Sequence, residues 1–111
     1  MEVADRNCVN CEEEIKPLTS IEEEQSLLNI PGWELHHETP HKISRRYSFK
    51  SYMEMIGFVN KIADAAEKKE HHPDLHLYYK ALQVELSTHK VKGLSSKDFE
   101  LAKNINELYG G

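Results

Sequence analysis

Residues 51–66, SYMEMIGFVNKIADAA, carry the strongest secondary-structure signal in the sequence. Ser51 and Glu54 have the spacing of a helix capping box, and apolar residues then recur at steps of three and four. This pattern predicts an amphipathic helix of about five turns, around which the rest of the chain can pack. The predicted apolar stripe consists of Tyr52, Met55, Ile56, Val59, Ile62, Ala63 and Ala66.

The helix has a clear limit at Pro73, within the stretch EKKEHHPDLH of residues 67–76. A residue that precedes proline disfavours the helical conformation. His71 and His72 are therefore expected at the end of the helix, where their titratable rings are either solvated or chemically active.

Two strands are predicted after this helix. Apolar and polar residues alternate over residues 75–79 and again over 82–86, with a tight turn near Tyr79 and Lys80 between them. This pattern predicts an antiparallel hairpin.

The remaining elements complete a simple order. Thr19 and Ser20 offer caps for a first helix, alternating strands occupy residues 33–35 and 43–49, and Ser95 caps a last helix. The order α-β-β-α-β-β-α predicts an α+β domain with a four-stranded antiparallel sheet and three helices packed on one face.

Length and charge narrow the class of protein. The chain has 111 residues, a length typical of one domain, which we place at residues 18–111 after a loosely held arm of residues 1–17. Its net charge of −5 argues against direct nucleic-acid binding, which needs a clustered positive surface. The sequence contains no apolar run of membrane-spanning length and no signal-peptide pattern. We therefore expect a cytoplasmic protein without a membrane partner.

The two cysteines form the pair Cys8-x-x-Cys11 in the N-terminal arm. Such a pair is half of a zinc site, a redox dithiol or an ordinary reduced pair. A zinc site needs two further ligands, and His36, His37 or His41 would supply them if the arm folded back. We expect a reduced pair and no bound metal.

His89 is the third histidine of interest. Continued alternation places Gln83, Glu85, Ser87 and His89 on the sheet face opposite the core, so His89 should be exposed near a strand end. The hairpin then brings it near His71 and His72.

Three histidines allow three interpretations: solvated surface residues, a metal site, or a general acid and base. Adjacent side chains such as His71 and His72 diverge, which makes them poor ligands for one ion. Imidazole exchanges protons near neutral pH, and neither Ser87 nor Thr88 lies in a nucleophile motif. The polar residues therefore favour acid–base chemistry without a covalent intermediate.

These motifs resemble the pterin-4a-carbinolamine dehydratase family. The resemblance runs from about Leu18 to the C-terminus, and the combination of His-His-Pro with Ser-Thr-His at this spacing is specific. The matching residues are Glu67-x-x-x-His71-His72-Pro73, Tyr79, Ser87-Thr88-His89, Gly93-Leu94-Ser95 and Asp98, together with Gly32-Trp33 before the first strand.

The resemblance implies a carbon–oxygen lyase, a 4a-hydroxytetrahydrobiopterin dehydratase. The substrate loses water to give quinonoid dihydropterin in tetrahydrobiopterin recycling, and neither a metal nor a cofactor is required. It also implies that His71 and His89 perform the acid–base steps while His72 orients the pterin. Trp33 would cover the pterin ring, and Glu67, Glu70, Ser87 and Thr88 would line the site. Asp98 would either position His89 or complete the helix cap begun by Ser95.

The resemblance also implies an alternative function as a dimerisation cofactor, or transcriptional coactivator, that binds a protein partner. This role uses a helix face that otherwise supports self-association, and we expect a homodimer or homotetramer. The stripe of the helix of residues 52–66 is either partly core and partly oligomer contact, or wholly buried within its own subunit. A nuclear location would accompany this role.

Overall fold

The three helices and four strands follow the order predicted from the sequence. The computed structural model describes residues 16–110, so most of the predicted arm, including Cys8 and Cys11, lies outside the described residues. The elements are α1 (Ser20–Leu27), β1 (Glu34–His36), β2 (Lys42–Ser48), α2 (Tyr52–Lys69), β3 (Asp74–Leu77), β4 (Ala81–Leu86), a single 3-10 turn (His89–Val91) and α3 (Ser96–Tyr109).

The strands form one antiparallel sheet in the order β1-β2-β4-β3. The register pairs Ile43 with Leu86 across the two central strands, and it pairs Leu75 with Val84 at the second hairpin. Because side chains alternate along a strand, these apolar residues share the face that the helices cover. The predicted α+β architecture is confirmed. Within residues 16–110, no helix is both long and apolar enough to cross a bilayer.

Side chains cap all three helices. Thr19 with Glu22, and Ser95 with Asp98, form capping boxes in which each side chain accepts a hydrogen bond from the other residue's backbone N–H. At α2 the prediction is half right. The Ser51 side chain accepts from the Glu54 N–H, but the Glu54 carboxylate reaches one residue further back and accepts from the N–H of Lys50.

The apolar surface of α2 is wider than the core needs. The fully packed stripe runs along Met55, Phe58, Ile62 and Ala66, all of which are buried. The other residues of the predicted stripe are partly buried or exposed. They form a second apolar row, which lies beside the first at helical spacing. This second row consists of Tyr52, Ile56, Val59 and Ala63.

Candidate functional site

A cavity of about 420 Å³ opens where the end of α2 meets the end of β4. This volume lies in the range typical of small-molecule sites. The hairpin of β3 and β4 brings the two ends together, as the sequence predicts. The cavity is lined by Glu70, His71, His72, Pro73, Asp74, Ser87, Thr88, His89, Lys90 and Lys97.

The end of α2 sets the position of His71. Glu70 adopts the left-handed conformation with φ of 53°, and the N–H of His71 donates to the Ala66 carbonyl oxygen at 3.1 Å. This six-residue closure is the Schellman motif, although glycine usually occupies the left-handed position. The chain therefore leaves the helix sharply and enters β3 through His72 and Pro73.

A buried hydrogen-bond network holds the His71 ring. Asp98 is fully buried on the first turn of α3, and its Oδ1 lies 2.6 Å from His71 Nε2. Its Oδ2 accepts from Thr88 Oγ1 at 2.7 Å and from the Ser95 N–H at 3.0 Å. Both oxygens of the carboxylate therefore have partners, as a buried charged group requires.

This network corrects one expectation and supports another. Asp98 completes the Ser95 cap, as one alternative held, but it contacts His71 and not His89. An ionised carboxylate accepts hydrogen bonds and does not donate them. Opposite an ionised Asp98, His71 Nε2 is the donor, and Nδ1 is the nitrogen of the neutral ring that can accept a proton.

His72 and His89 face more solvent than His71 does. His72 Nε2 lies 2.6 Å from Glu67 Oε2, and both side chains are exposed, so this contact adds little to stability. Alternating burial continues past the end of β4, with Thr88 buried and His89 exposed. His89 thus begins the 3-10 turn with its imidazole unpaired by any side chain of residues 16–110.

Three residues named from the sequence lie outside the cavity lining: Asp98, which holds His71 from beneath the surface, Glu67 and Trp33. Glu67 contacts His72 Nε2 through its carboxylate. Trp33 is in the core, 5% exposed, and its Nε1 donates to Asn106 Oδ1 at 3.0 Å. Asn106 lies eight residues beyond Asp98, about 12 Å along α3. Trp33 therefore packs in the core towards the far end of this helix, and the structure does not bring it to the cavity beside the histidines.

Two cationic residues of the cavity, Lys90 and Lys97, were not predicted from the sequence. Each lies next to a residue singled out from the sequence, since Lys90 follows His89 and Lys97 precedes Asp98. Adjacency along the chain was the available signal. Glu70 and Asp74 also line the cavity, so the lining carries both signs of charge.

A larger concavity, of about 530 Å³, lies between α2 and α3. Its lining includes Asn60, Asp64, Lys68 and Leu108 but none of the histidines. Proton transfer near neutral pH is best served by imidazole. We therefore assign the candidate site to the smaller cavity.

Comparison with known proteins agrees with the motif analysis. A sequence profile of the family described as Pterin 4 alpha carbinolamine dehydratase matches residues 16–108. A Halorhodospira halophila protein, provisionally named a pterin-4-alpha-carbinolamine dehydratase, is 35% identical over 108 residues, or 97% of this chain and 98% of that protein. A Sulfolobus acidocaldarius protein with the same provisional name is 43% identical over 79 residues, or 71% of this chain and 84% of that protein.

Two solved structures share the fold. The crystal structure of a transcriptional coactivator/pterin dehydratase from Brucella melitensis has a TM-score of 0.80 and 31% identity, covering 85% of this chain and 99% of that one. A pterin dehydratase-like protein identified as a RuBisCO assembly factor in the alpha-carboxysome has a TM-score of 0.64 and 19% identity, covering 75% and 95%. At that identity the second likeness concerns the fold alone.

Proposed function

This chain belongs to the pterin-4a-carbinolamine dehydratase family, and we propose that it removes water from a 4a-hydroxytetrahydropterin. The observation that carries the proposal is that three imidazoles from two separate parts of the chain, His71, His72 and His89, line one cavity of about 420 Å³. The physiological setting we propose is tetrahydrobiopterin recycling.

The reaction needs one proton donor and one proton acceptor. The bond from C4a to the hydroxyl oxygen breaks, and the leaving hydroxyl takes a proton to become water. The neighbouring ring N–H gives up its proton, and the electron pair forms the C=N double bond of the quinonoid dihydropterin. The protons balance without an oxidant or reductant, so two histidines suffice.

The contacts of His71 and His89 support an assignment of base and acid. His71 Nε2 donates to the buried Asp98 carboxylate, which leaves Nδ1 as a base and stabilises the imidazolium once it has accepted a proton. We therefore assign the ring N–H to His71 as base. His89 is exposed and can take up a proton from water, so we assign protonation of the leaving hydroxyl to His89.

The remaining residues would bind the substrate. His72 lies at the exposed rim and is oriented by Glu67 at 2.6 Å. Glu70 and Ser87 add a carboxylate and a hydroxyl group to the lining, which suits a heterocycle rich in N–H groups and ring nitrogens. Thr88 also lines the cavity, but its hydroxyl already donates to Asp98.

The test is to add the protein to freshly generated 4a-hydroxytetrahydrobiopterin and follow water loss by ultraviolet absorbance. We expect first-order dehydration well above the spontaneous rate, proportional to protein concentration. A rate equal to the spontaneous one at micromolar protein would contradict the proposal.

A second candidate function, protein binding through α2, has its own supporting observation. The second row of α2, Tyr52, Ile56, Val59 and Ala63, is apolar and incompletely covered, and Tyr52 is 45% exposed. We propose that this row packs against α2 of a second copy of the chain. A partner protein with the same helical surface would compete for it, as a coactivator function requires.

Light scattering at low protein concentration tests this second candidate. The wild type should be a dimer or tetramer, and Ile56→Glu should shift the mass towards the monomer because it buries a charge at the contact. Lys68→Glu, a charge change at an exposed position of the same helix, is the matched control. A monomeric wild type would contradict self-association through α2.

A further inference from the structure

A second cluster of metal-ligating side chains lies away from the histidine cavity. It consists of Glu23 on α1, and His37 and His41 in the connection between β1 and β2. Each residue offers one ligand atom, and these atoms all lie within 4.8 Å of one another. The two imidazole rings meet edge to face, with centroids 5.3 Å apart.

Glu23 is the unusual member of the cluster, because it is a carboxylate with only 2% of its surface exposed. Both of its oxygens lie 3.0 Å from one nitrogen, His41 Nδ1. One N–H cannot satisfy two carboxylate oxygens, and the imidazole is charged only when protonated. A buried carboxylate is costly unless a cation or several donors compensate it. The site therefore provides negative charge and two imidazoles with no fixed cation among residues 16–110.

We propose that Glu23, His37 and His41 bind a Zn²⁺ ion. Two imidazoles and one carboxylate are a donor set that zinc takes, with water at the fourth position. Zinc-bound N and O atoms in a tetrahedron lie about 3.4 Å apart, given metal–ligand distances near 2.1 Å. The cluster reaches this spacing if the exposed His37 ring turns inward. Imidazole donors favour a transition metal over Ca²⁺ or Mg²⁺, which prefer oxygen.

The ion would link the connection between β1 and β2 to α1. The connection that carries His37 and His41 also contains Thr39 and Pro40, which border a concavity of about 170 Å³ together with Ser87 and His89. Zinc would hold this connection to α1 and so keep it beside His89. This inference does not depend on the proposed dehydratase reaction.

The experiment is a Zn²⁺ titration of the full-length chain against a chromophoric chelator, with a parallel thermal melt. We expect one site of micromolar affinity or tighter and a rise in Tm of several degrees when the site is saturated. Glu23→Gln and His37→Gln should each weaken binding by about 100-fold or more, since loss of an outer-shell partner alone costs 10–100-fold. His37 is exposed, so its variant tests the site even if Glu23→Gln folds poorly.

Three controls separate this site from other donors. His36→Gln removes a neighbouring histidine that contacts Ser44 instead, and it should leave the affinity unchanged. The double variant Cys8→Ser/Cys11→Ser should also bind normally, and the Co²⁺ form should lack thiolate charge-transfer absorption. Normal binding by both Glu23→Gln and His37→Gln would overturn the proposal. So would absence of binding by the wild type, or loss of binding in the cysteine double variant.

Discussion

The Asp98 carboxylate both caps α3 and orients His71. It completes the cap of α3 through the Ser95 N–H, and it fixes the His71 ring through the opposite oxygen. Since the group is fully buried, any rotation would leave a charged oxygen without a partner. The cap therefore fixes the orientation of the proposed base.

We expect Asp98→Asn to lower kcat by about 10²–10⁴-fold, the range typical of a general acid–base contribution. The amide can donate to His71 Nε2, which reverses the tautomer and leaves Nδ1 protonated. The pH–rate profile should shift, whereas KM should change little. Steady-state kinetics across pH 6–9 check this prediction.

Ser95→Ala is the control for Asp98→Asn. It weakens the same helix cap, at a cost of about 1 kcal/mol in unfolding free energy, without touching His71. It should keep near-normal kcat. Equal losses of activity in both variants would mean that Asp98 acts through stability alone.

The end of α2 determines where the chain carries His71 and His72. Pro73 stops the helix, but the direction in which the chain leaves it depends on Glu70, a non-glycine residue with positive φ. A left-handed conformation costs an L-residue about 1–2 kcal/mol. Glu70, which has this unfavourable conformation, lines the cavity.

Glu70→Gly should therefore raise the unfolding free energy by about 0.5–1 kcal/mol, the strain relieved less the greater chain entropy of glycine. Urea denaturation measures this change. Lys92→Gly offers a matched comparison, because Lys92 has φ of 54° at the end of the 3-10 turn. A loss of stability in Glu70→Gly would show that the Glu70 side chain contributes more than its backbone costs.

Local signals explain why the elements could be predicted from the sequence. Capping residues, the helical spacing in α2 and the alternation in β4 depend on neighbours along the chain. The partner of Asp98 could not be predicted, because His71 is 27 positions away and meets it only when α2 packs against α3. The contact of Trp33 with Asn106 could not be predicted for a similar reason, since the two residues are 73 positions apart.

A polar cluster links the sheet to the end of α3. Asn106 Oδ1 accepts from Trp33 Nε1, from Arg45 Nη1 and from the Tyr47 hydroxyl at 3.0, 2.7 and 2.5 Å. Tyr47 is 1% exposed and lies beneath the Arg45 guanidinium. Burial raises the pKa of Tyr47 to about 12, although the charge of Arg45 acts to lower it.

This pKa gives the stability a defined dependence on alkaline pH. The unfolded chain releases the Tyr47 proton near pH 10, whereas the folded chain holds it to about pH 12, so unfolding releases a proton in that window. The contribution of Tyr47 to the free energy of unfolding is fully present below pH 10 and is lost as the pH rises through about 12. Two pKa units correspond to about 3 kcal/mol.

Urea denaturation of the wild type and Tyr47→Phe between pH 8 and 12 measures this contribution. The difference in unfolding free energy between them should shrink as the pH rises. Tyr79→Phe, which alters an exposed tyrosine, should follow the wild type throughout. Parallel curves for wild type and Tyr47→Phe would show that Tyr47 ionises equally in both states.

The turnover of His89→Ala on 4a-hydroxytetrahydrobiopterin is the sharpest test of histidine acid–base catalysis in this protein. His89 is exposed and contributes no side-chain packing to the core, so the variant should fold normally by circular dichroism. We predict a kcat lower by about 10²–10⁴-fold. His76→Ala, an exposed histidine of β3 outside the cavity lining, should retain wild-type activity. Turnover near the wild-type value in His89→Ala would show that His89 does not protonate the leaving hydroxyl.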